Sequence, residues 1–208
     1  MWEISYKTIL EVLMKLIDCC KSINVGIAKS ESENNSNSEL VEALMLTGAN
    51  ITENGFIDLA KENAKQIFIE KNIFNKQKLK LGQIVFLSKG TNLRAAVITE
   101  EQEKLSLVAP ASCLVLDLDT NKILPEFLTL FLNSEYGQSL LDSLSKGSMI
   151  QNISVSSLKS IEINIPELSK QKIISEAFYQ HNQALMILEK MKKKHLTVME
   201  ATLQKLMA

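Results

Sequence analysis

Two short polar stretches carry the side chains best suited to contacting a nucleic acid. In the first, Ser88, Lys89, Gly90 and Thr91 set a glycine, which lets the backbone approach a phosphate, beside an ammonium and two hydroxyls that would hold it. Arg94 follows and is the chain's only arginine. A bidentate guanidinium on guanine is the commonest specific contact to DNA, against which stands an ordinary surface arginine at a strand start. In the second, Lys146, Gly147, Ser148, Gln151 and Asn152 crowd donors and two-faced amides into seven residues, which suits phosphates and base edges or, more plainly, a polar loop. Lys78 and Lys80 extend the first stretch into a basic band: residues 71–99 hold six cations and no Asp or Glu. The net charge of −1 argues against a uniformly basic binder, so phosphate contact would have to be local.

Other chemistries find little support. A methyltransferase needs a glycine-rich cofactor loop, and the seven glycines never form GxG. Asp117 and Asp119 are the only tempting pair for Mg²⁺, and in LVLDLDTNK they read as the solvent face of a strand entering a turn. His181 and His195 stand apart, with no CxxC or HxxxH to complete a zinc site. SKGT, from residue 88, lacks the ending of a nucleotide-binding loop. No catalytic residue, metal or cofactor is therefore expected on this chain. Cys19, Cys20 and Cys113 form no disulfide framework, which fits a reducing cytoplasm.

The elements that must position these loops read as an α+β domain followed by a rod. Trp2, Tyr6, Ile9, Leu13, Leu16 and Cys20 step by four and three, predicting an amphipathic helix over residues 1–20. Lys7, Glu11 and Lys15 interrupt its apolar stretch, so neither a signal peptide nor a membrane span is expected. Residues 14–167 form the globular part. Strands are predicted at LVEALMLTG and GFIDLA, and at residues 84–87, 95–98, 105–108 and 113–117. Pro125 opens two helical pieces, Ser154 caps a turn, and Ile161, Ile163 and Ile165 alternate with polar neighbours as a half-buried strand.

Residues 168–208 hold no Gly or Pro, and a helix of that extent would reach about 60 Å. One seam runs through Ile174, Phe178, His181, Leu185 and Leu188, another through Leu196, Met199, Leu203 and Leu206. They join through Lys192 with the offset of a coiled-coil stutter. Such a helix needs a partner: a second copy of itself, or the N-terminal helix in an intrachain hairpin.

The run GSMIQNISVSSLKSIEINIP followed by LSKQKII resembles the end of a target recognition domain in the specificity subunit of type I restriction and modification enzymes. LKLGQIVFLSKGTNLRAAVI resembles that domain's middle motif, and LMKLIDCCKSINVG and LTGANITENGFID its opening motifs. Gln83 stands where that family usually has an acidic residue. The resemblance implies a half-length, non-catalytic subunit with one recognition domain that reads double-stranded DNA and pairs through its long helix as a homodimer on a bipartite inverted site. The implied partners are a methyltransferase subunit carrying S-adenosylmethionine and a restriction subunit using ATP and Mg²⁺. The reading that competes with it is a coiled-coil adaptor whose recognition domain no longer binds DNA.

Overall fold

In the computed structural model, which describes residues 12–28, 39–59, 64–145 and 151–207, the central strand is β5 (Ile84–Leu87), buried on both sides. Its side chains divide between two cores. Ile84 and Phe86 join Leu16, Leu116, Leu128 and Leu141 on one face, while Val85 and Leu87 join Ile51, Leu79, Ile98 and Val115 on the other. An unbroken apolar run is what two covered faces require. β5 pairs antiparallel with β7 (Arg94–Val97) and β9 (Cys113–Leu118), and β9 pairs with β2 (Cys20–Val25), giving the order β2-β9-β5-β7.

A second sheet covers the Val85 face. β3 (Leu40–Met45) runs antiparallel to β4 (Lys65–Glu70) and parallel to β8 (Leu107–Val108), and Ala43, Ile69 and Val108 close a third core with Ile27. α1 (Lys71–Gln77) follows β4. α2 (Glu100–Glu103) opens on a capping box in which Thr99 and Gln102 exchange side-chain and backbone bonds.

Helices cover the Phe86 face. α3 (Pro125–Asn133) starts on the expected proline, and α4 (Glu135–Leu144) is capped by Ser134, whose hydroxyl accepts from the Gly137 N–H at 3.1 Å. A Cβ at Gly137 would lie 1.9 Å from the Phe131 carbonyl oxygen, so this tight corner demands glycine. α5 (Val155–Lys159) is capped by Ser154 as its sequence predicts. β11 (Glu162–Ile165) then alternates exposed and buried residues, with Ile163 and Ile165 facing inward.

Two expectations need correction. The helix predicted through Cys20 is, over its described part, β1 (Val12–Lys15) followed by a 3-10 turn at Leu16–Cys19. β1 pairs antiparallel with β11, Leu13 is 60% exposed and Leu16 is buried; pairing with a distant strand overrides a weak helical spacing. Trp2, Tyr6 and Ile9 lie outside the described residues. GFIDLA is not a strand either: Phe56 and Ile57 make single bridges, to Val97 and Ile51, that tie a loop to the sheet edge.

α6 (Leu168–Met207) is one helix of 40 residues, about 60 Å long. Gln171, wholly buried, anchors its start. The Gln171 Oε1 accepts from the Leu124 N–H at 2.7 Å, and its Nε2 donates to the carbonyls of Pro166 and Lys122 at 2.8 and 3.0 Å. Phe178 lies against Gly55 and Thr129 and is only 4% exposed. That removes it from the seam proposed for a partner helix, because the chain's own domain already covers it. Tyr179 donates to the Glu126 carboxylate at 2.5 Å. Ile174 and Leu185 are half-buried, whereas His181, Leu188, Leu196, Met199, Leu203 and Leu206 are exposed. Among the described residues no helix is long and apolar enough to cross a membrane.

Candidate nucleic-acid interface

The two polar stretches meet. β6 (Lys89–Gly90) and β10 (Gln151–Asn152) form an antiparallel pair that sets Gln151 opposite Gly90 and Asn152 opposite Lys89. The Ile153 N–H extends the contact by donating to the Ser88 carbonyl at 2.9 Å. Gly90 adopts φ +143° with open space around it, so its glycine answers to backbone conformation rather than to crowding. Lys89, Thr91 and Asn152 are exposed on this edge, and Gly90 is half-exposed.

Ser88 belongs to the framework and not to the contact surface. It is 1% exposed, and its hydroxyl and N–H both donate to the Ser112 carbonyl, at 3.1 and 3.0 Å. Lys78 and Lys80 also stand apart. They precede β5, whereas Lys89 and Arg94 follow its far end, and four residues of strand span about 13 Å. The basic band is thus split along the sheet, and its first cation, Lys71, pairs with Glu39 at 3.0 Å. Lys146, Gly147 and Ser148 lie outside the described residues.

Beside the paired edge opens a polar cleft of about 350 Å³. Thr91, Asn92, Leu93 and Arg94 line it from the β5–β7 hairpin, and Gln151 from β10; Asn133, Gln138 and Asp142 come from α3 and α4, and Glu53 from the loop before Gly55. Asn133 ties these parts together. Its Oδ1 accepts from the Ala95 N–H at 2.8 Å, and its Nδ2 donates to the carbonyls of Ala95 and Glu53 at 2.9 and 3.2 Å. The Gln151 amide nitrogen donates to the Asp142 carboxylate. Arg94 is half-buried, and its Nε is covered by protein without a hydrogen-bond partner.

Glu53, Asn92, Asn133, Gln138 and Asp142 escape a reading of the sequence. They come from three segments, at residue 53, residue 92 and residues 133–142, and share no local motif; only folding collects them. Asp119, weighed above for metal, instead closes a turn. Its carboxylate is held below the usual range first by the Asn121 backbone N–H at 3.2 Å, with the Asn121 side chain and Lys122 adding to it. Among the described residues no cluster of His, Cys, Asp or Glu is disposed to hold a metal ion.

The architecture has relatives. The type I restriction-modification S subunit from M. genitalium superposes with a TM-score of 0.57 at 17% identity, over 88% of this chain and 42% of that one. A chain from a study of complex assembly and conformational transition in the type I R-M system gives 0.57, 17%, 88% and 41%. The HsdS subunit from Thermoanaerobacter tengcongensis gives 0.50, 14%, 86% and 39%. These similarities concern the fold, and the chain spans about two fifths of the length of the solved chains it matches. No curated protein matches it. The family model for the type I restriction modification DNA specificity domain matches residues 13–198. The match takes in the strands from β2 to β11, the capped turn and most of the long helix, and the chain belongs to the type I restriction modification DNA specificity domain family.

Proposed function

We propose that this chain is a DNA sequence-specificity element of a type I restriction-modification enzyme, reading one half-site of double-stranded DNA in the major groove. The observation that carries this is the β6–β10 pairing, which joins two distant polar segments into one edge beside the Arg94 cleft. Lys89 and Thr91 would contact phosphates, while the cleft would face base edges. Membership of the specificity-domain family supports the assignment.

The exposed apolar residues of α6, from Leu188 to Leu206, support pairing with the same helix of a second copy. Two recognition domains would then stand at opposite ends of a rod, and twofold symmetry would select an inverted, interrupted target. The chain positions; it does not catalyse. A methyltransferase subunit would carry S-adenosylmethionine, and a restriction subunit would use ATP and Mg²⁺. The three free cysteines suit a reducing cytoplasm.

The test is binding of the full chain to random-sequence duplex at several salt concentrations. Neutralised phosphates release counterions, so the logarithm of affinity should fall linearly with the logarithm of salt, by about 0.9 for each phosphate contact. Binding that is absent or indifferent to salt would refute the DNA reading and leave the coiled-coil adaptor.

A further inference from the structure

We propose that the cleft beside Arg94 selects a G·C base pair: Arg94 donates to O6 and N7 of guanine, and the Asp142 carboxylate, through lone pairs that Gln151 leaves free, accepts the one N4–H of cytosine that base pairing leaves exposed. This rests on the reading that the chain binds duplex DNA, and narrows it to one base pair and the groups that choose it.

What the cleft can read depends on the donors and acceptors that remain free. An amide that reads adenine must offer its nitrogen to N7 and its oxygen to the N6 amino group together. Three of the cleft's amides already hold hydrogen bonds within the protein. Asn133 spends both ends on Ala95 and Glu53 backbone groups. The Gln138 Nε2 donates to the Leu132 carbonyl at 2.6 Å, and the Gln151 Nε2 to Asp142.

Arg94 is the opposite case. It forms no ion pair among the described residues, although two carboxylates line the same cleft, and its buried Nε has no partner. A guanidinium held by packing alone gives up no hydrogen bond when it swings onto an acceptor, and it gains charge-assisted ones. Guanine presents two acceptors in the major groove, matching the fork. The exposed carboxylate of Asp142 is acceptor-only when ionised, so it suits the amino edge of cytosine and repels the O4 of thymine. Asn92, exposed with no side-chain bond among the described residues, is the cleft amide freest to read adenine, so it enters the test.

Selection of bound duplexes from a library with a randomised centre decides the matter. The wild-type chain should enrich a motif containing an invariant G·C pair. Arg94→Ala should erase that position and leave the rest of the motif, reducing discrimination against A·T there by about 5- to 100-fold. Arg94→Gln should move the position toward A·T, a change that a merely structural role would not produce, and Asp142→Asn should weaken the preference for cytosine. Thermal melts of each variant verify folding, and Arg94→Gln keeps a long polar side chain if Arg94→Ala fails to fold. An unchanged motif in both Arg94 variants, or loss of the position in Asn92→Ala instead, overturns the proposal. Salt-sensitive binding without any enriched motif overturns it too while sparing the DNA reading; no duplex binding at all removes both.

Discussion

The two halves of α6 have similar apolar content and opposite fates. Between Gln171 and Asn182 one face is buried against α3 and the loop at Gly55, with Gln171, Ser175, Phe178 and Asn182 all under 9% exposed. From Leu188 onward, every described side chain is exposed, including Leu196, Met199, Leu203 and Leu206. Apolar spacing at three and four residues is therefore compatible with two partners, and only tertiary placement says which one a given turn has. The first half is part of the domain's core. The second is a stripe without a partner among the described residues, and most helical stability in proteins comes from packing such a face.

Breaking each half should have different consequences. The largest effect is expected from Leu188→Glu combined with Leu203→Glu, which should convert an assembled species to monomers in light scattering while leaving the domain's melting transition in place; a matching loss of both would mean that the second half supports the domain. Phe178→Ala should cost about 3–5 kcal/mol in denaturant unfolding, whereas Leu203→Ala, on the second predicted seam, should cost the domain almost nothing. Gln171→Ala removes three hydrogen bonds, to backbone groups of Leu124, Pro166 and Lys122. It should destabilise by about 2–3 kcal/mol and expose residues 166–171 to proteolysis. Lys89→Ala should lower affinity for all duplexes alike and make the salt dependence shallower by about one phosphate contact; a change confined to sequence preference would reverse the roles given to Lys89 and the cleft. Smallest is a chemical effect. Burial pushes the Cys113 thiol up to about 12, so a thiol reagent at mildly alkaline pH should label it only after unfolding.

Sequence patterns reached the domain unevenly, and the reasons are physical. The long helix, the Ser154 cap, the Ile163 and Ile165 alternation and the run at residues 84–87 depend on neighbours in sequence, so they were legible there. The N-terminal strand was not, because its structure is decided by β11, some 150 residues away, while its apolar residues happen to repeat at helical spacing. The same limit governs the candidate interface. Lys89, Thr91, Arg94, Gln151 and Asn152 stand out by type and local company, and the structure joins their two segments. Ser88 also stood out by its hydroxyl, yet that hydroxyl is turned inward to the Ser112 carbonyl. Asn133 and Asp142 carried no local signal, because what they do depends on α3 and α4 delivering them to the hairpin.

Hydrogen exchange of the full chain with and without random-sequence duplex is the most direct test that the paired edge is the contact surface. Residues 88–94 and 151–153 should slow on addition of duplex at low salt, with β4, and α1 at the other end of the domain's basic band, unchanged. Slowing confined to residues 65–80, with the β6–β10 edge unaffected, would contradict the account.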